Sequence, residues 1–195
     1  MNHKPMKPKS WQTADGIRLT MRPMLKSDTP LVKESLGKLS SESRRNRFFG
    51  TVREFSDETV RRLTHFDTAT EFALVIVRHE RNKEIPLAGG RFVHDADGRH
   101  CEFSLLIGDS WQGQGIGHRL LRALIHEATR RGLSQMEGSV LADNRPMLKL
   151  ARTHGFMVED SRSDPGIKRV SRDLPRQPPT TWPSLFRKLL PFGGR

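Results

Sequence analysis

Three glycines spaced two apart stand where a short polar segment meets a long amphipathic one: Gly108-Asp109-Ser110-Trp111-Gln112-Gly113-Gln114-Gly115-Ile116-Gly117-His118. Without a Cβ, the backbone at Gly113, Gly115 and Gly117 can turn sharply and let a ligand come close. A helix that follows such a loop offers free N–H groups and a partial positive charge at its start. Together these suit an anionic group such as a pyrophosphate, and His118, Arg119 and Arg122 add positive charge nearby. The spacing is not that of a G-x-G-x-x-G loop, nor does it end in the Gly-Lys-Ser/Thr of a nucleotide P-loop. A tight packing turn is the plain structural alternative. Just upstream, Glu102 opens a run containing Phe103, Leu105, Leu106 and Ile107. A carboxylate there is either a general base or a side chain on the solvated face of a strand. Asn144 precedes Arg145-Pro146, a place that suits a helix N-cap.

These residues need elements to hold them. The alternation Ile17-Arg18-Leu19-Thr20-Met21-Arg22 predicts a strand, and Leu31 to Leu39 a helix opened by Ser27-Asp28-Thr29-Pro30. Ser56-Asp57-Glu58 opens a further helix to about His65. Glu71–His79, Leu87–Val93 and Cys101–Ile107 read as three consecutive strands, the last two joined through Asp95-Ala96-Asp97-Gly98. Ile116, Leu120, Leu121, Leu124, Ile125 and Ala128 form one helical stripe, ended by Gly132. Strands over Met136–Leu141, Phe156–Glu159 and near Val170 surround a helix over Arg145–His154. The pattern is α/β, an α+β mixed sheet with flanking helices.

At 195 residues the chain is long enough for one domain. The body is expected over residues 16–174, with a basic N-terminal tail over 1–15 and a Pro-rich basic C-terminal tail over 175–195. Lys and Arg exceed Asp and Glu by 34 to 22, a net charge of +12, which favours acidic partners. Cys101 is the single cysteine, so neither an internal disulfide nor a cysteine-based zinc site is expected, and the eight histidines show no HExxH-like pair; no metal is expected. The longest uncharged apolar run, Phe72–Val77, is too short to span a bilayer, and no apolar stretch follows the basic N-terminus. A cytoplasmic setting is the expectation. Aromatic residues are 7% and do not interleave with arginines, so nucleic acid is not a favoured partner. In the C-terminal tail, Trp182, Leu185, Phe186 and Leu189 share one face of a short predicted helix. That stripe is expected either to be disordered or to pack on its own domain, with docking on a partner groove or an anionic membrane surface as the functional alternative.

Gln112-Gly113-Gln114-Gly115-Ile116-Gly117 resembles the Q/R-x-x-G-x-G/A loop of the GNAT superfamily of N-acetyltransferases. Asn144-Arg145-Pro146-Met147, with Gly155-Phe156, is similar to a second segment of that family in the expected order. Leu39–Phe49, over two helices, and Cys101-Glu102-Phe103-Ser104-Leu105-Leu106-Ile107 resemble the GNAT domain of bacterial protein-lysine acetyltransferases. The resemblance implies a GNAT-type fold with a central, mostly antiparallel sheet, and acetyl-CoA as co-substrate. It implies that Gln112, Gly113, Gln114, Gly115, Ile116 and Gly117 bind the pyrophosphate. It further implies that the backbones of Leu105, Leu106 and Ile107 pair with the pantetheine arm, that Asn144 contacts it, and that Glu102 is the catalytic base. Many members carry a general-acid tyrosine near the position of Ala151; this chain contains no tyrosine. The acceptor implied is an amine, either a protein lysine or a small molecule. A non-catalytic acyl-CoA-binding regulatory domain is the reading from another class.

Overall fold

The run Phe72–Val77 is buried on both faces, and a strand so covered belongs at the centre of a sheet. In the computed structural model, which describes residues 6–50, 53–81, 83–95 and 97–175, it forms the middle of β3 (Glu71–Glu80). Around it the chain runs β1 (Lys9–Gln12), β2 (Arg18–Pro23), α1 (Thr29–Gly37), α2 (Ser41–Phe48) and α3 (Asp57–Thr64). After β3 come β4 (Lys83–His94), β5 (His100–Ile107), α4 (Ile116–Arg130), β6 (Gln135–Leu141), α5 (Arg145–Thr153), β7 (Met157–Asp160) and β8 (Ile167–Asp173). One open eight-stranded sheet has the order β1-β2-β3-β4-β5-β6-β8-β7. Every neighbouring pair is antiparallel except β5 with β6. The expected mixed α/β class is therefore observed.

The apolar stripe of α4 buries Ile116, Leu120, Leu121, Leu124 and Ala128 against β4 and β5. Gly90 makes that approach possible: a Cβ there would stand 2.8 Å from Leu105 Cδ2 and 3.2 Å from Leu124 Cδ1. The other face of the sheet carries α1 and α3 over a smaller cluster of Val32, Leu36, Leu39 and Val60. α5 adds Leu148 and Ala151 to the larger cluster. No helix among the described residues is long and apolar enough to cross a membrane.

Two elements depart from what periodicity predicts. Residues 9–12, expected within a tail, form β1, in register with β2 from Lys9↔Met21 to Gln12↔Arg18. Four residues, Lys-Ser-Trp-Gln, are too few to show alternation. Trp11 is fixed by packing on the core and by the Arg119 guanidinium, 4.7 Å from its ring. α2 has no apolar stripe and was legible only through the family resemblance; the Ser40 hydroxyl caps it by accepting from the Ser43 N–H at 3.2 Å. The amphipathic stripe at Trp182–Leu189 lies outside the described residues.

One buried ion pair anchors the start of α1. Arg22 donates to both carboxylate oxygens of Asp28 at 2.8 Å, and Asp28 also accepts from the Leu25 N–H at 2.8 Å. Burial alone would raise the Asp28 pKa, but the hydrogen bonds from Arg22 and Leu25 hold it below the usual carboxylate value. Its contribution is present above the unfolded-state pKa and is lost as pH falls through the depressed folded value. Asp28→Ala should cost about 3 kcal/mol in urea unfolding, the low end for a broken buried pair, because Glu84 still faces Arg22. The difference between wild type and variant should shrink below about pH 4.

Candidate active site

β5 and β6 run together for only three residues. The parallel pairs are His100↔Gln135, Cys101↔Met136 and Glu102↔Glu137; from Phe103 onward no pairing with β6 is found among the described residues. β6 meanwhile follows β8 along its whole length. The strands part beside Gly138, where a Cβ would lie 3.1 Å from the Phe103 carbonyl oxygen. β5 therefore presents an open backbone edge.

Hydrogen-bond alternation shows which groups lie on that edge. Asp95 N–H donates to the His100 carbonyl and Gly108 N–H to the Leu87 carbonyl, at the two ends of the β4–β5 register. Even-numbered residues of β5 thus bond to β4, and Phe103, Leu105 and Ile107 turn their N–H and C=O groups to the opening. Leu106, expected to offer its backbone to a cofactor, instead spends it on Gly89. Its side chain packs toward the α1–α3 cluster.

The glycine loop enters the opening from one end. Gly113 (φ 74°) and Gly115 (φ 76°) hold left-handed conformations that disfavour any side chain. Gly117 has a different reason: a Cβ there would meet Ile107 Cδ1 and Leu150 Cδ2, each at 3.1 Å. Among the described residues, the N–H groups of Gly115, Ile116, Gly117 and His118 find no protein acceptor. Four such donors at the start of a fifteen-residue helix make a cradle for a phosphate oxygen.

Sequence reasoning missed what fastens this loop. The Asp109 carboxylate accepts from Ser40 N–H (2.9 Å), Ser40 Oγ (2.6 Å) and Ser43 Oγ (2.7 Å), tying the loop to the start of α2. Burial opposes its charge, but these hydrogen bonds prevail and hold its pKa below the usual value. Gln112 Nε2 donates to Ser43 Oγ at 3.0 Å and to the Ile107 carbonyl at 3.2 Å. No spacing in the sequence connects residue 40 to residue 109, so only the fold shows this clamp.

Two cavities meet at the opening. One, of about 390 Å³, lies between β5, β6, the loop and α5. It gathers Leu105, Leu106, Ile107, Gln112, Gly113, Gly115, Ile116, Gly117 and Asn144. Gln114 turns away, donating to the Ser110 carbonyl at 3.0 Å, and lines the second cavity. Asn144 caps α5 by accepting from Met147 N–H at 3.1 Å, which leaves its Nδ2 available to a ligand. The second cavity, about 730 Å³, follows β4 beneath α1, walled by Val32, Leu36, Leu39, Phe48, Leu63 and Val75. Arg47, Ser104, Leu106 and Trp111 line both.

Glu102 sits at the apex, in the last residue pair before the strands part. Its side chain is exposed on the same face of β5 as Ser104 and Leu106, one alternation from the junction, and lines neither cavity wall. Although the residue is exposed, partial desolvation of its carboxyl and the Glu137 carboxylate raise its pKa, against the opposing charge of Arg47. Arg47 in turn is drawn down to about 10 by burial and by Arg91, while Glu102 holds it up. Cys101 is fully buried, and burial pushes its thiol up to about 12, which removes it as a nucleophile.

This parted sheet with its glycine cradle, at the start of a long helix, is the setting in which the likeness to known proteins is read. The Acetyltransferase (GNAT) domain model matches residues 18–157, and the chain belongs to the GNAT acetyltransferase family. It is 29% identical over 150 residues to Acetyltransferase PA5475 of Pseudomonas aeruginosa, covering 77% of this chain and 81% of that one. It is 30% identical over 165 residues to Acetyltransferase Pat of Mycolicibacterium smegmatis, covering 84% of this chain. The chain spans 48% of the length of Pat. Among solved structures, the GNAT domain of S. lividans PAT matches with a TM-score of 0.76 at 24% identity, over 86% of this chain and 97% of that domain. The structure of yncA from Salmonella typhimurium, solved with its cofactor acetyl-CoA, matches with a TM-score of 0.63 at 20% identity, over 82% of this chain and 95% of that one.

If the cradle holds a pyrophosphate, saturating coenzyme A should raise the melting temperature, with about 2.7 kcal/mol of stabilisation at one hundred times Kd. Gly115→Asp, which adds a strained side chain and a negative charge, should abolish the rise in a scanning-fluorimetry titration. A full shift in that variant would place the cofactor elsewhere.

Proposed function

We propose that this protein transfers the acetyl group of acetyl-CoA to a primary amine. The observation that carries the reading is the end of β5–β6 pairing at Glu102, together with the four N–H groups from Gly115 to His118 that find no protein acceptor among the described residues. The pyrophosphate would rest on those N–H groups. The pantetheine amides would pair with the open edge at Leu105 and Ile107 like an added strand, with the Asn144 amide donating from the facing helix. The thioester then arrives next to the apex. A β5 N–H aimed at its carbonyl oxygen would stabilise the negative charge that develops there, an effect of several kcal/mol when the donor is fixed in advance. The solved complex of yncA with acetyl-CoA supports this choice of donor.

The acceptor reaches the same point from the cavity along β4. An alkyl amine of pKa about 10.4 carries a cost of roughly 4–5 kcal/mol at pH 7 for its reactive neutral form. Glu102, with its pKa raised by partial desolvation and by Glu137, is suited to take that proton. As the C–N bond forms, the C–S bond breaks and coenzyme A leaves as a thiolate. With no tyrosine in the chain, the thiolate takes its proton from water.

Glu102→Gln keeps the shape and removes the base. Turnover at neutral pH should fall about 10²–10⁴-fold with the affinity for coenzyme A unchanged, as read by thiol release and calorimetry. In the wild type, activity should be lost as pH falls through the Glu102 pKa. That acidic limb should lie above the ordinary glutamate value of about 4.3 and vanish in the variant. Wild-type turnover in Glu102→Gln would make Glu102 a solvent-facing strand residue.

A further inference from the structure

A groove of about 900 Å³ lies between β1 and α4 and shares no lining residue with the two cavities of the candidate active site. Trp11 and Met21 give it apolar surface, and Lys7, Lys9, Arg119 and Arg122 line it as exposed cations. The side chains of these cations make no hydrogen bond and no ion pair among the described residues; Arg119 stacks on Trp11, 4.7 Å from the ring centre. The remaining charged or titratable residues of the lining are His126, Glu127 and Arg130. Glu127 is already taken by Arg130 at 2.6 Å and by Arg131 at 2.9 Å. The groove thus holds positive charge that no acid of its own offsets. Nor is any residue of 1–5, 51–52, 82, 96 or 176–195 an Asp or Glu that could fill it.

One wall of this groove is a strand edge. β1 ends the sheet and pairs only with β2. Thr13 N–H donates to the Ile17 carbonyl at 3.0 Å, one step beyond the β1–β2 register. Alternation then bonds Lys9 and Trp11 to β2 and leaves the N–H and C=O groups of Ser10 and Gln12 on the open edge. The far side of β2 requires the same parity, because Met24 N–H donates to the Ala73 carbonyl at 2.9 Å and so commits the even residues of β2 to β3. A strand added to this edge would set alternate side chains, roughly 6.6–6.8 Å apart, on the face shared by Lys9 and Trp11. Arg119 and Arg122, three apart on α4, stand about 5–6 Å from each other.

We propose that the groove between β1 and α4 docks an acidic, extended segment of a partner protein. The segment adds a strand beside β1 and sets alternate Asp or Glu side chains against Lys9, Arg119 and Arg122. This is independent of the acetyl-transfer reading. A polypeptide supplies both the backbone groups that Ser10 and Gln12 lack and carboxylates at a matching repeat. Nucleic acid lacks such a backbone, and Trp11, the aromatic ring of the groove, is already engaged by the core and by Arg119. A second copy pairing through its own β1 would bring Lys7 and Lys9 against like charge.

The test uses the full chain and a fluorescein-labelled octapeptide of alternating Glu and Thr, followed by fluorescence anisotropy. Binding should be saturable at low salt and weaken about 10-fold or more at 0.5 M NaCl, where exposed charges are screened. Hydrogen exchange in the complex should slow at the Ser10 and Gln12 amides and stay unchanged at Trp11, already bonded to β2. Lys7→Glu/Lys9→Glu should weaken the peptide about 10-fold while keeping the melting shift with coenzyme A, which reports an intact fold. Absence of saturable binding would overturn the proposal. So would equal affinity for the same peptide N-methylated at every amide, since charge alone would then explain the binding. Tighter binding of a single-stranded oligonucleotide of equal charge would make the groove a nucleic-acid surface instead. Unchanged exchange at Ser10 and Gln12 also contradicts it, and this measurement, like both ligand comparisons, needs no variant to fold.

Discussion

A β-strand that loses its neighbour exposes a row of hydrogen-bonding groups, and such groups cost free energy unless something satisfies them. β5 stands in that condition from Phe103 to Ile107, in the middle of an eight-stranded sheet rather than at its rim. The parting is built in from both sides. β6 is committed to β8 over seven consecutive pairs, while β5 is committed to β4 through Ala88↔Ile107. Neither strand can close the gap without giving up a ladder. The open edge is thus a stable property of the sheet, and it points a fixed set of N–H and C=O groups into a cavity.

Everything else of functional interest is arranged around that edge. α4 begins at its far end, so the helix's N–H groups that lack an acceptor among the described residues lie by the same space. α2 and the Asp109 clamp hold the loop in place, and Gln112 ties it to the last carbonyl of β5. Glu102 stands at the apex, Arg47 at the junction of the two cavities. Desolvation and Glu137 raise the Glu102 pKa although Arg47 pulls it down, and Glu102 in turn helps keep the Arg47 guanidinium charged.

Much of the scaffold was legible because its signals are local. The α4 stripe, the buried run of β3 and the glycine loop are each written within about fifteen residues or fewer. The candidate site was legible where chemistry and spacing coincide: the loop residues, Asn144 and the strand ending at Ile107 converge on one cavity. Other features were hidden because they depend on pairing between distant segments. β1 is held by its register with β2, not by a pattern of its own. The Asp109–Ser40–Ser43 clamp joins residues almost seventy positions apart. Backbone direction also escapes a reading by residue type, and so Leu106 was grouped with Leu105 and Ile107 although alternation turns its N–H and C=O toward β4. Gln114 sits in the loop motif yet faces the other cavity.

The account stands on cofactor pairing along the open edge of β5, and amide hydrogen exchange measures that pairing directly. Saturating coenzyme A should slow exchange at Leu105, Ile107 and the four N–H groups from Gly115 to His118, while leaving Leu106, already bonded to β4, unchanged. Binding of coenzyme A with no added protection at Leu105 and Ile107 would contradict it.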